Sequence, residues 1–122
     1  MALCLIGAGL SVHLAVASFT LGWTHTIERV PWEEEWRVEP RALVLTQSRV
    51  KGSGAGMEPP PQARLVDGWY VWAPDNSRRA EIVLRRARGI ADWRFCAMET
   101  GCTTVGALLG VNADPVKLAP CS

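Results

Sequence analysis

The sequence predicts an all-β fold, a single antiparallel β-sandwich or partly open barrel formed by residues 1–122. Two observations predict it. Apolar residues recur with a period of two nearly everywhere, and no segment shows a long 3.6-residue period. Eight short apolar runs are separated by regular turn signals, the pattern of a sandwich or barrel. One domain suits 122 residues, a length that buries one core without metal or disulfide support.

In chain order, Ala2–Ile6 reads as a strand and Gly7-Ala8-Gly9 as a tight turn. Leu10–Ile27 is one long strand or a bent pair, rich in β-branched and aromatic residues, with Gly22 as the candidate bend. Pro31 interrupts pairing, because it has no amide donor. Trp32–Val38 alternates sharply, with Trp32, Glu34, Trp36 and Val38 on one face and Glu33, Glu35 and Arg37 on the other. Glu39-Pro40-Arg41 turns the chain into Ala42–Lys51. Strict alternation there groups Leu43, Leu45, Gln47, Arg49 and Lys51. Gly52–Gln62 is the conspicuous loop, permissive in its glycines and stiff in its three prolines. Leu65–Trp72, Glu81–Arg86, Ile90–Cys96, Cys102–Leu109 and Val116–Ala119 complete the strands, the third and fourth as a hairpin.

The first 27 residues carry no Lys, Arg, Asp or Glu. A signal peptide would start with a basic region, and a spanning helix would need about 18 unbroken apolar residues. Neither pattern is met, although Ala15-Val16-Ala17-Ser18 resembles a cleavage site. A folded N-terminus without a transmembrane span is the expectation. The chain is then cytoplasmic or peripheral to the inner membrane, or periplasmic if the N-terminus directs export.

A formal net charge of +1 offers no field for nucleic acid or an anionic membrane. The basic patch of Arg78, Arg79, Arg85, Arg86 and Arg88 lacks interleaved aromatics and reads as a solvated face. Six tryptophans are unusual for this length and point to a core anchor or a contact surface.

No pair among Cys4, Cys96, Cys102 and Cys121 has metal or redox spacing, and the two histidines are distant in sequence, so no metal site is expected. Cys96 and Cys102 can face each other across a hairpin and form a disulfide. For a chain without an export pattern, free and mostly buried thiols are the expectation.

No complete catalytic or cofactor motif is present, and no cofactor is expected. His25, Glu28 and the run Glu33-Glu34-Glu35 could form an acid–base cluster, yet a positioned nucleophile is missing. Solvated charges around a turn are the simpler reading. Glu34 differs, because a carboxylate on an apolar face must be paired or neutralised. Arg49 and Lys51 on the next strand are the expected partners. The run GSGAGM could cradle an anion through backbone amides, but it lacks a P-loop ending and reads more simply as a glycine bend.

The segments Phe19–Val38 and Arg49–Pro61 together resemble domain-of-unknown-function family eighteen-fifty. Its members are small bacterial proteins, often encoded beside tripartite ATP-independent periplasmic (TRAP) transporters of the TAXI type. Trp23, Thr24, His25, Thr26, Glu28, Pro31, Glu34, Arg49, Gly54, Ala55 and Gly56 match the family pattern in order. The resemblance includes Gly68–Trp72 and weakens after Pro74. The family carries no established activity. The resemblance implies a non-enzymatic accessory role, binding the transporter's membrane component or a small organic anion. His25, Glu28, Glu34, Arg49, Gly54 and Gly56 would then converge on one surface site, with Arg49 and the loop amides meeting a carboxylate. The rival readings are a small hydrolase or isomerase using His25 and Glu34, and a stand-alone β-barrel ligand binder.

Overall fold

Alternation in the first strand buries Leu3 and Leu5 completely, and the partners of that strand come from both ends of the chain. The computed structural model describes residues 1–24, 30–52, 59–75, 77–86 and 91–121. β1 (Ala2–Gly7) turns through Ala8 and Gly9 into β2 (Leu10–Leu14). Both turn residues have positive φ, 51° and 77°, the twist that a two-residue hairpin requires. β3 (Ser18–Thr24), β4 (Pro31–Glu39) and β5 (Ala42–Lys51) form an antiparallel meander. β6 (Arg64–Val66), β7 (Trp69–Trp72), β8 (Arg78–Arg79) and β9 (Ile82–Leu84) follow. The chain ends in β10 (Arg94–Ala97), β11 (Gly101–Thr104), the short helix α1 (Val105–Leu109) and β12 (Val116–Cys121).

The strands make two antiparallel sheets. The smaller has the order β2-β1-β12-β9 and the larger β11-β10-β3-β4-β5-β7-β6, with β8 paired to β5. The sheets do not close into a barrel, so of the two expected architectures the structure takes the sandwich. Leu3, Leu5, Leu84, Val116 and Leu118 of the smaller sheet meet Phe19, Leu21, Trp36, Val38, Leu43 and Phe95 of the larger. Phe19 and Phe95 stack with ring centroids 5.2 Å apart. Val105 and Leu109 of α1 join this core.

Three local expectations are corrected. The long Leu10–Ile27 element bends at Ala15–Ala17, not at Gly22, and its two strands belong to different sheets. Cys102–Leu109 is strand only to Thr104, whose side chain accepts from Ala107 N at 3.1 Å and caps α1. Strict alternation in β5 fails because the register with β4 shifts between Glu35 and Trp36. Glu35 lies opposite Gln47 and Trp36 opposite Leu45, which leaves Thr46 as the extra residue of a bulge. Its hydroxyl donates to Glu35 O at 3.1 Å. Before the bulge Leu43 is buried; after it, Ser48 and Val50 are.

The cysteines form two disulfides, Cys4–Cys121 and Cys96–Cys102, so the expectation of free thiols is also corrected. The Cys96–Cys102 pair lies in register across the β10–β11 hairpin, with Cα atoms 4.1 Å apart. The Cys4–Cys121 bond ties the first strand to the last.

Candidate functional site

The inner face of the larger sheet changes character towards one end. There the aliphatic core gives way to Trp23, Trp32, Tyr70, Trp72 and Trp93, all half-buried. Strand register produces this gathering. Trp23 lies opposite Trp32, Val50 opposite both Trp32 and Tyr70, and Ser48 opposite Trp72. Trp23 and Trp32 are stacked at 5.9 Å, Trp32 meets Trp72 edge-on at 6.0 Å, and Trp93 tilts against Trp23 at 5.1 Å. Such aromatic pairs contribute about 0.5–1.5 kcal/mol each beyond their burial. The Trp93 indole donates to Arg85 O at 2.9 Å.

Glu34 sits within this face, opposite Leu21 and Ser48 and between Trp32 and Trp36 along β4. Burial raises its pKa above the ordinary carboxylate value. The Trp36 N–H and the charge of Arg79 offset part of that rise. The Trp36 N–H nevertheless stays outside hydrogen-bond geometry. Among the described residues, Nε1 of Trp32 and Nε1 of Trp36 are both buried without a hydrogen-bond partner. An uncompensated buried donor of this kind costs roughly 1–3 kcal/mol. Two buried donors without partners thus lie on the same strand face as a carboxyl whose pKa is raised by burial.

Arg49 lies on the other face of the same sheet, because the Thr46 bulge turns it over. Its Nε donates to Glu33 at 2.6 Å and its Nη1 to Glu35 at 3.0 Å. Burial alone would lower the Arg49 pKa, but the two carboxylates outweigh it and raise the value. Its guanidinium also lies 5.9 Å from the Trp69 ring centroid. The expected pairing of Glu34 with Arg49 is therefore corrected to pairing of Arg49 with Glu33 and Glu35. Glu34 and Arg49 do not meet. His25, Glu28, Gly54 and Gly56 lie outside the described residues.

Three members of the arginine patch are in ion pairs. Arg78 donates to Glu39 at 2.7 Å, Arg85 to Asp114 at 3.0 Å, and Arg86 to Asp92 at 3.0 and 3.1 Å. Burial pushes the Asp92 pKa up. Arg86 and the amides of Gly106 and Trp93 outweigh this and hold it below the ordinary range. Arg88 lies outside the described residues.

Among the described residues, one set of potential metal-ligand atoms comes together although its members are distant in sequence. A ring nitrogen of His13 and the sulfurs of Cys4 and Cys121 lie within 4.8 Å of one another. Register explains it, since His13 is the β2 partner of Cys4. The tryptophan cluster was also not placed by sequence reasoning. The six tryptophans were the available signal, but their convergence depends on pairing among five strands.

The fold and site define an antiparallel β-sandwich with a half-buried tryptophan face. The domain-of-unknown-function family DUF1850 matches residues 19–103, most of the chain, and the protein belongs to that family. The match spans β3 to β11 and includes all the tryptophans. Among curated proteins and solved structures, nothing matches the chain. Among the described residues no helix is long and apolar enough to cross a membrane.

Proposed function

We propose that this protein is a non-enzymatic accessory domain of a TAXI-type TRAP solute transport system. On this reading it binds a small organic anion with an apolar body at the tryptophan end of its inner face. The observation that supports binding is the pair of buried indole N–H groups of Trp32 and Trp36, which lack partners among the described residues and flank Glu34. A carboxylate oxygen of the ligand would satisfy them. When protonated, a state that burial favours, Glu34 would add an O–H donor. The faces of Trp23, Trp32 and Trp72 would cover the apolar body, as is usual for sites that pair aromatic walls with a few polar groups.

The transport assignment rests on the family resemblance carried by Trp23, Glu28, Pro31, Glu34, Arg49 and the glycine loop. Two disulfides suit an oxidising compartment. The proposed location is therefore the periplasmic side of the inner membrane.

The test is calorimetric titration with small aliphatic and aromatic carboxylates on the parent and on Trp32→Phe. That substitution keeps an aromatic ring and removes the donor. Loss of one such hydrogen bond should weaken binding by about tenfold. Equal affinities would overturn the anion site. Absence of binding by either protein, with the transporter's membrane component still co-purifying, would make the tryptophan face a docking surface instead.

A further inference from the structure

We propose that Cys4, Cys121 and His13 form a redox-gated site for a thiolate-preferring cation of the Zn²⁺ class. The site is independent of the tryptophan face. Its three donors come from three adjacent strands. Cys4 lies on the central strand β1, His13 lies opposite it on β2, and Cys121 reaches it from β12. Their ligand atoms all lie within 4.8 Å of one another. A tetrahedral zinc centre has Zn–S near about 2.3 Å and Zn–N near about 2.0–2.1 Å, so neighbouring ligand atoms sit roughly 3.4–3.8 Å apart. To reach that spacing the sulfurs, bonded to each other in the disulfide, must separate and the imidazole must draw closer.

In the oxidised protein the two sulfurs are bonded to each other and are poor ligands, because a metal takes the thiolate. Opening the bond requires a thiol reductant. A dithiol supplies two electrons and two protons, leaves Cys4 and Cys121 as thiols, and itself becomes a disulfide. Zn²⁺ then displaces the two thiol protons. His13 contributes a neutral ring nitrogen, and water takes the fourth position. Main-chain pairing holds the register of these strands alongside the disulfide. β1 pairs β12 over five positions and β2 over five more. Cys4 is buried, whereas His13 is exposed, so a cation from solvent meets the imidazole first.

The experiment uses full-length protein carrying Cys96→Ser and Cys102→Ser, which removes the second thiol pair. The protein is reduced with dithiothreitol, desalted without air, and titrated with Zn²⁺ against a chromophoric chelator. One Zn²⁺ per chain is expected in the reduced protein and none in the oxidised protein. Cd²⁺ in place of Zn²⁺ should give the ultraviolet charge-transfer band of two thiolates. Loss of an outer-shell partner already costs a metal site about 10–100-fold, so His13→Ala should weaken binding by more than about tenfold. His13→Ala lies on an exposed edge strand, and its melting curve reports whether it is folded. No Zn²⁺ on reduced protein whose melting curve shows it folded, Zn²⁺ on the oxidised protein, or unchanged affinity in folded His13→Ala would each overturn the proposal.

Discussion

Arg49 crosses from β5 to Glu33 on β4, its Nε 2.6 Å from the carboxylate, while Glu35 takes its Nη1 at 3.0 Å. One guanidinium thus clasps two acidic residues of the run Glu33-Glu34-Glu35 and passes over the one between them. Both contacts are partly exposed, with side-chain exposures of 23% for Arg49, 27% for Glu33 and 41% for Glu35. Solvent screening therefore limits their energy. Arg49→Ala is expected to destabilise the fold by about 1 kcal/mol, less at high salt, and to leave carboxylate binding at the tryptophan face unchanged. Urea unfolding at two salt concentrations checks the first part and calorimetry the second.

Glu34 makes stability depend on pH in the opposite sense from a paired carboxylate. Its folded pKa is raised above 4.5 by burial. Between the unfolded and folded values the native state holds the extra proton, so stability falls as pH rises. The contribution is fully present below the unfolded pKa and is lost as pH passes upward through the folded one. Glu34→Gln should therefore raise the melting temperature at neutral pH and have little effect at a pH below the unfolded value. Equal shifts at both pH values would contradict burial as the cause. Carboxylate binding should strengthen as the pH falls through the same window, because the neutral carboxyl donates and does not repel.

Asp92 holds a junction between β10, α1 and the strand that precedes them. Its carboxylate accepts from Arg86, from Trp93 N at 2.8 Å and from Gly106 N at 2.8 Å. A Cβ on Gly106 would sit 2.7 Å from that carboxylate, so the close approach needs glycine there. Asp92→Ala strands a half-buried guanidinium and two amides. We expect a loss of about 3 kcal/mol in chemical denaturation. The folded pKa of Asp92 is depressed. Its contribution is present above the unfolded value and is lost on acidification through the folded one, so the difference between parent and variant should narrow in strong acid.

The two disulfides should differ in their effect on stability because the loops they close differ. Cys4 and Cys121 are 117 residues apart, Cys96 and Cys102 only 6. Chain entropy alone assigns about 5 kcal/mol to the long loop and about 2 kcal/mol to the short one. Paired Cys→Ser variants compared by urea unfolding should show the larger loss for Cys4/Cys121. The reverse order would mean that local packing at the β10–β11 hairpin outweighs loop closure.

Much of the sandwich was legible in period-two alternation. Trp32, Glu34, Trp36 and Val38 do share the inner face, and the chain does turn between Glu39 and Ala42. The helical turn at Val105–Leu109 was not legible, because a single capped turn is too short to show a 3.6-residue period. The side to which Arg49 points was also hidden. One unpaired residue, Thr46, reverses every side chain beyond it, and nothing in the alternation of Ala42–Lys51 marks where the extra residue falls. Long-range pairing was hidden for a different reason. Cys4 meets Cys121, and Trp23 meets Trp93, through strand order, and a local pattern carries no information about strand order.

The pairing of β1 with β12 sets a timetable for synthesis. The meander β3–β5 can collapse as soon as it leaves the ribosome, since its contacts are between successive strands. The β1–β2 hairpin packs its leucines on that meander, yet one edge of β1 has no strand partner until Val116–Cys121 emerges. Contacts of such long sequence separation form late, and the surfaces awaiting them are open to wrong partners in the interval. Between the emergence of β1 and that of β12, the open edge of β1 is a strand template that a chaperone could hold.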